Sequence, residues 1–181
     1  MHKLKNSELD RLTMDGFKQA EKFPLVIVLD NIRSQNNIGS AFRTGDAFRV
    51  ESICLCGITA TPPHRDIHKT ALGAENTVEW KYFENTVDAI NLLKEKGYKI
   101  ATVEQAAQST MLQNFTLNTS EKLALVFGNE VEGVEESIME MADYCIEIPQ
   151  FGTKHSLNIT VSMGIVIWHL ASQSLSSYSL T

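Results

Sequence analysis

From Pro24 onward the chain alternates between short apolar runs and segments whose apolar residues recur at helical spacing. Pro24–Asp30 (PLVIVLD) is apolar almost throughout and rich in Val and Ile, which predicts a parallel strand buried on both faces. Asn37–Phe48 predicts a short helix, Glu51–Gly57 the next strand, and Asp66–Gly73 a short helix ended by its glycine. Asn76–Phe83 alternates, as a strand nearer an edge would. Thr86–Gly97 carries Val87, Ile90 and Leu93 on one helical face and stops at Gly97. Tyr98–Glu104 reads as a strand, and Leu123–Gly133 as a strand running into a glycine-bounded loop. Val134–Ala142 predicts a helix with acids in its first turn, where the helix dipole favours them. Asp143–Pro149 is the last strand, and the final helix runs from about Ser156 to about Ala171.

About six strands interleaved with helices define one α/β domain over residues 23–173, with no internal repeat. Residues 1–22 read as a helical extension with a sparse apolar face of Leu4, Leu9, Leu12 and Phe17. The polar stretch 174–181 is expected to fray. A chain of 181 residues with 43% apolar content suits a single well-packed core.

Composition changes this picture in three ways. The net charge of −6 counts against a generally basic nucleic-acid surface. Locally, however, His64, Arg65, His68 and Lys69 face only Asp66, so the segment is either a basic patch or an ordinary solvated loop. Cys54, Cys56 and Cys145 are an odd count without metal-ligand spacing, and the first two share a strand face as buried thiols. With no apolar run long enough to span a membrane and no secretory signal pattern, a cytoplasmic, membrane-free setting is expected.

Ligand sites in open α/β sheets lie beyond the C-terminal ends of the strands. Three such ends are polar and glycine-rich: Asn36, Asn37, Gly39 and Arg43 after the first strand, Gly128, Glu130 and Gly133 after Phe127, and Gly152, Ser156 and Asn158 after Pro149. Together they suggest a pocket. Each residue also has a plainer reading. Asn37 and Ser156 could cap the helices that begin there, Arg43 could be a surface arginine, and Glu130 a solvated acid. Asn158 is harder to dismiss, because Ile159, Val161 and Met163 follow it into an apolar run. Several chemistries lack their pattern. The loop after Phe127 has no Gly-Lys-Ser/Thr ending, no G-x-G-x-x-G follows the first strand, no G-x-S-x-G supports Ser156 as a nucleophile, and no metal site is expected.

The three loops resemble, in order, the three motifs of the SpoU (TrmH) branch of the SPOUT RNA methyltransferases: Asn36–Arg43 (NNIGSAFR), Leu125–Gly133 (LVFGNEVEG) and Ile148–Ser162 (IPQFGTKHSLNITVS). The segments Thr102–Ser109 and Thr61–Trp80 are most similar to those of the tRNA guanosine-2′-O-methylating members. The resemblance implies a SPOUT fold, a mostly parallel sheet with helices on both faces and a deep C-terminal trefoil knot, an exception to the usual absence of knots. It implies S-adenosyl-L-methionine (AdoMet) as cofactor, with Thr102, Val103, Glu104, Gly128, Ile148 and Leu157 around it. Asn37, Arg43, Glu130, Ser156 and Asn158 would form the catalytic network. Arg43, Arg65, Lys69 and Lys154 would meet RNA.

The implied reaction is methyl transfer to a ribose 2′-hydroxyl, with a D-loop guanosine of tRNA as the expected target. Ribosomal RNA is the alternative substrate. Arg43 acts in the family reading either as a perturbed base or as a phosphate clamp, and its high intrinsic pKa favours the clamp. Two positions depart from the common pattern: Val131 stands where the second motif often has glycine, and Gln150 where the third often has methionine. Residues 1–22 leave no room for the separate N-terminal RNA-binding domain of some members. Thr160, Val161, Gly164, Ile165 and Trp168 on the last helix would pack a homodimer. Rival readings are a non-catalytic knotted RNA-binding protein and an α/β enzyme acting on a small metabolite.

Overall fold

The computed structural model describes residues 1–5, 8–118 and 121–174, with the side chain of Ser174 excluded. Seven strands form one sheet in the order β3-β2-β1-β6-β4-β7-β5, and every pairing is parallel. They are β1 Phe23–Asp30, β2 Val50–Cys56, β3 Trp80–Phe83, β4 Tyr98–Val103, β5 Thr110–Met111, β6 Lys122–Phe127 and β7 Tyr144–Glu147. The helices are α1 Met14–Gln19, α2 Gln35–Ala47, α3 Arg65–Ala71, α4 Thr86–Glu95, α5 Glu136–Met141 and α6 Ile159–Ser174.

The core sits on both sheet faces, as the unbroken apolar character of β1 requires. Leu25, Ile27 and Leu29 point into a cluster shared with Phe42 of α2, Ile67 of α3 and Met163 of α6. Val26 and Val28 point the other way, toward Ile90 of α4 and Ile138 of α5. Successive side chains of a strand leave on opposite faces, so a central strand covered on both sides must be apolar at every position. Cys54 and Cys56 lie buried in the second cluster as free thiols. Burial pushes the Cys54 thiol up to about 12, so neither nucleophilic nor metal-binding thiolate chemistry falls to it.

Several elements differ from the sequence expectation. There are seven strands rather than six, because Thr110–Met111 pairs with Ile146 and Glu147 at the sheet edge. Only the second half of the Asn76–Phe83 segment is extended: Ala74–Asn76 forms a 3-10 turn, and β3 starts at Trp80. Helix α2 begins two residues early and is capped by Ser34, whose Oγ accepts from the Asn37 N–H at 3.3 Å. The cap assigned to Asn37 therefore belongs to Ser34. Likewise α6 begins at Ile159, not Ser156. Asn158 takes the capping position, its Oδ1 accepting from the Thr160 N–H at 2.9 Å. In the extension, α1 covers only Met14–Gln19, and Phe17 alone of its expected apolar face is buried, with Leu4 and Leu12 exposed. The stretch expected to fray lies, apart from residue 174, outside the described residues.

Strand β7 lies between β4 and β5, so the short 104–109 connection spans the C-terminal end of β7. Gln105 Nε2 of that connection donates to the His155 carbonyl beyond β7, and Ser109 Oγ donates to Glu147 at the end of β7. A close approach of helices sets the other side of the site. A Cβ on Gly39 would lie 2.3 Å from the Ile67 carbonyl oxygen, so only glycine lets α2 seat on α3.

Candidate active site

A cleft of about 770 Å³ opens at the C-terminal ends of β4, β6 and β7. Its floor comes from β6: Phe127 and Gly128 lead into the 128–133 loop. That loop closes on itself through reciprocal backbone hydrogen bonds between Asn129 and Gly133, each 2.9 Å. The Asn129 side chain completes it, accepting from the Val131 N–H at 2.9 Å and donating to the Asn31 carbonyl at 2.8 Å. Gly128 cannot carry a side chain, because a Cβ there would stand 2.2 Å from the Gly133 carbonyl carbon and the Val134 nitrogen. The Gly-x-Glu-x-x-Gly spacing is thus the spacing of a loop folded back against its own start. Val131 projects outward, 77% exposed, which this closure tolerates.

Glu130 is the hub between loops. Its carboxylate accepts from the Arg33 N–H at 3.1 Å, the Ser34 N–H at 3.2 Å and Asn37 Nδ2 at 3.0 Å. Asn158 Nδ2 in turn donates to Asn37 Oδ1 at 3.4 Å. One residue from each glycine-rich loop therefore meets at a single junction, at the N-terminus of α2, where free N–H groups favour an anion. Partial burial pushes the Glu130 carboxyl up, but the hydrogen bonds from Arg33, its own backbone, Asn37 and Ser34 outweigh it and hold the group below its ordinary value. Glu130 is consequently a fixed carboxylate and a poor proton acceptor.

The expected cofactor residues divide. Val103, Glu104, Gly128, Ile148 and Leu157 line the cleft. Thr102 does not: it is fully buried in β4, and its hydroxyl donates to the Tyr144 carbonyl at 3.3 Å. Among the expected catalytic residues, Glu130, Ser156 and Asn158 line the cleft, and Asn37 reaches it through Glu130. Ser156 is exposed and has no hydrogen-bond partner among the described residues. Arg43 lies outside the lining, exposed on α2, with no carboxylate partner among the described residues. Arg65 and Lys69 are exposed on α3, one turn apart, and Lys154 is exposed in the 148–158 loop.

Sequence reasoning missed Asn129, Ser34, Gln105 and His155. Asn129 could have been found, since an Asn beside a turn glycine commonly bonds backbone two residues on. The others act through their backbone or across the β7 crossing, which no local pattern reveals. Asp30 was also missed. Fully buried at the end of β1, it accepts from Thr86 Oγ1 of α4 and from the Glu135 N–H, fixing the sheet end beneath the site.

The cleft suits a cationic, partly apolar ligand. Glu104, Glu130 and Glu132 supply negative charge, Ile148 and Leu157 supply apolar walls, and Gly128 leaves backbone open to close approach. Among the described residues no group of His, Cys, Asp or Glu could hold a metal ion, and no helix is long and apolar enough to cross a membrane.

An all-parallel α/β sheet whose last strand inserts between two strands joined by an earlier connection, with a cleft at those strand ends, is the architecture of the SPOUT class. The profile of the SpoU rRNA Methylase family matches residues 24–168, and the chain belongs to that family. It is 31% identical over 84% of its length to the 23S rRNA (guanosine-2′-O-)-methyltransferase RlmB of Neisseria meningitidis, covering 60% of that protein. It is 30% identical over 81% of its length to the tRNA (guanosine(18)-2′-O)-methyltransferase of Borreliella burgdorferi, covering 65% of it. The AdoMet-bound rRNA methyltransferase of Sinorhizobium meliloti superposes with a TM-score of 0.77 at 25% identity, over 92% of this chain and 60% of that one. The chain thus spans less than two thirds of these relatives, and it matches the ribosomal and transfer RNA enzymes about equally.

Proposed function

We propose that the protein transfers a methyl group from AdoMet to a ribose 2′-hydroxyl of structured RNA, and that its target is a guanosine in the tRNA D-loop. The observation that carries the methyltransferase reading is the Glu130–Asn37–Asn158 junction, which joins all three motif loops at the rim of the cleft. The likeness of Thr102–Ser109 and Glu147–Gly152 to the tRNA-modifying members supports tRNA.

AdoMet supplies an electrophilic methyl group on a sulfonium centre. Val103, Glu104, Gly128, Ile148 and Leu157, which line the cleft, would hold it. Glu130 and Asn37 keep the loops in register, and Asn158 fixes the start of α6 against them. Arg43, exposed and without a carboxylate partner among the described residues, is free to clamp a backbone phosphate beside the reacting ribose and to stabilise negative charge developing on its oxygen. In-line placement of the weak hydroxyl nucleophile supplies much of the rate. Since Glu130 is held ionised by its donors, the proton leaves by another route.

The functional unit is a homodimer. One face of α6 is buried in the core through Met163, Val166, Ile167 and Leu170. The other exposes Val161 at 49%, Ile165 at 38% and Trp168 at 54%, a second apolar stripe at helical spacing. Gly164 has open space beside it, which lets a second backbone come close. Sedimentation should show a dimer at micromolar concentration, and a monomer would overturn this part.

Ribose-methylation mapping of total RNA from a deletion strain against its parent tests the reaction and substrate together. Loss of one tRNA D-loop mark, restored by the wild-type protein and not by Arg43→Ala, is the expected result. Loss of a ribosomal mark with tRNA unchanged would move the substrate to ribosomal RNA. No change, with no AdoMet binding by calorimetry, would favour a non-catalytic protein.

A further inference from the structure

Asn31, directly after β1, stands in the left-handed region at φ +56°. Asparagine enters that region more readily than most residues with a side chain, but only glycine enters it without cost. A residue stays there when its surroundings fix it. Asn31 Nδ2 donates to Asp30 Oδ1 at 3.1 Å and to Glu135 Oε1 at 2.9 Å, and its Oδ1 accepts from the Ile58 N–H at 3.2 Å. Two carboxyl acceptors and one backbone donor allow the amide a single orientation. Its own N–H donates to the Cys56 carbonyl at 3.3 Å. A Cβ on Gly57 would stand 2.1 Å from Oδ1, so glycine there lets the end of β2 pass this close. The side chain thus joins the end of β1, the end of β2 and the residue that precedes α5.

What this anchorage presents to the cleft is the Asn31 carbonyl, which accepts from Asn129 Nδ2 at 2.8 Å. With Nδ2 engaged there, Asn129 turns Oδ1 toward the Val131 N–H at 2.9 Å and the Glu132 N–H at 3.2 Å. Those bonds hold the 128–133 loop, whose Gly128 and Glu130 line the cleft. Slightly further along the chain, the Arg33 and Ser34 N–H groups meet the Glu130 carboxylate. The 31–34 segment therefore grips the loop twice, through a neutral contact at Asn129 and a charged one at Glu130. The direction of a backbone carbonyl follows the dihedrals of its residue, so the side chain that pins Asn31 also aims the acceptor that Asn129 requires.

We infer that Asn31 is a positioning residue for the floor of the cofactor cleft: its side chain, by pinning residue 31 to β2 and α5, sets the carbonyl that orients Asn129 and with it the 128–133 loop. The inference rests on the AdoMet reading above and adds a determinant of cofactor affinity that lies outside the three motifs. Asn31 removes no reacting group when it is lost, so the cost falls on AdoMet binding rather than on turnover at saturating cofactor.

Asn31→Gly keeps positive φ accessible and deletes the side-chain anchors. Amide hydrogen exchange at Val131 and Glu132, measured without cofactor, should quicken at least about tenfold as the loop opens locally. The AdoMet dissociation constant by calorimetry should rise about fivefold, the worth of one hydrogen bond. In turnover, KM for AdoMet should rise likewise while kcat changes less than about twofold. Asn129→Asp isolates the single bond, because it keeps the Oδ1 acceptor and loses the Nδ2 donor, and it should reproduce the faster exchange and the weaker binding. Phe17→Leu, in α1 before β1 begins, should lower Tm and leave both readouts unchanged. Exchange or affinity within about twofold of wild type in Asn31→Gly would overturn the inference. So would an equal response in Phe17→Leu, which would make the effect a general loosening. If Asn31→Gly does not fold, Asn129→Asp decides alone, and a wild-type response there overturns the inference. A wild-type protein that binds no AdoMet, with exchange still faster in Asn31→Gly, retains the loop positioning and loses the methyltransferase reading.

Discussion

The loop after β6 and the loop after β7 frame one cleft and are built in opposite ways. The 128–133 loop is closed by its own backbone and gripped by Asn129, and Glu130 ties it to α2. Residues 151–158 are all exposed, with Phe151 at 96%, and are held chiefly at His155 and Asn158. The two glycines show the same contrast: a Cβ on Gly128 collides with backbone, whereas one on Gly152 meets nothing within 4 Å. Half of the site is therefore framework that exists before any ligand arrives. The other half, with the exposed Arg43, presents groups to solvent. Substitutions in the first half should act on stability, and those in the second on turnover.

The sharpest separation is expected at Arg43. Arg43→Ala should lower methyl transfer at least about a hundredfold, the usual cost of removing a group that stabilises transition-state charge. AdoMet affinity by calorimetry should stay within about twofold. Transfer to tRNA at near wild-type rate would remove Arg43 from the mechanism. Gly128→Ala should do the reverse. Forcing a methyl against the Gly133 and Val134 backbone costs about 3 kcal/mol, a drop of roughly 6–12 °C in Tm for a chain of this size. An unchanged melting curve would show that the loop is not the rigid half.

Glu130→Gln tests the hub with a smaller effect. The carboxylate is largely solvent-exposed, so losing its charge should cost about 1 kcal/mol. The sign with pH is fixed: its folded pKa lies below the ordinary 4.5, so its stabilisation is complete above that value and is lost as pH falls through the folded pKa. The wild-type advantage over Glu130→Gln in denaturant titrations should therefore shrink on acidification below about pH 4.5. A gap that is constant from pH 7 to pH 3 would mean that the charge contributes nothing. RNA binding should report the open half. Its affinity should fall with salt at about 0.7 to 0.9 log units per log unit for each phosphate met by Arg65, Lys69, Lys154 and their neighbours. Smallest of all, Gly152→Ala should change stability by less than about 0.5 kcal/mol.

The apolar runs made most of the layer structure legible, because a strand buried on both faces, such as Leu25–Leu29, leaves no other pattern. The site was legible as three loops at one sheet edge, since residue order alone places strand ends. What escaped depends on contacts distant in sequence. Thr110–Met111 is too short to carry a period and becomes a strand only by pairing with Ile146 and Glu147. The caps at Ser34 and Asn158 were not legible, because Asn37 and Ser156 are equally good capping types and the choice between neighbours is made by where each helix meets the sheet.

The crossing of the 104–109 connection over the chain leaving β7 has a consequence in time. The segment beyond β7 is synthesised after strands β1 to β6, so those strands are available to arrange themselves first. Parallel pairings between distant strands make this a slow folding topology. The same two segments both line the cleft proposed for AdoMet, through Glu104 and Gln105 of one and His155 to Asn158 of the other. A cofactor bound there would tie the two segments together, stabilising the native state by mass action and slowing their separation. Newly made protein should lose its sensitivity to protease in two stages, first over β1–β6 and then, faster when AdoMet is supplied, over α6.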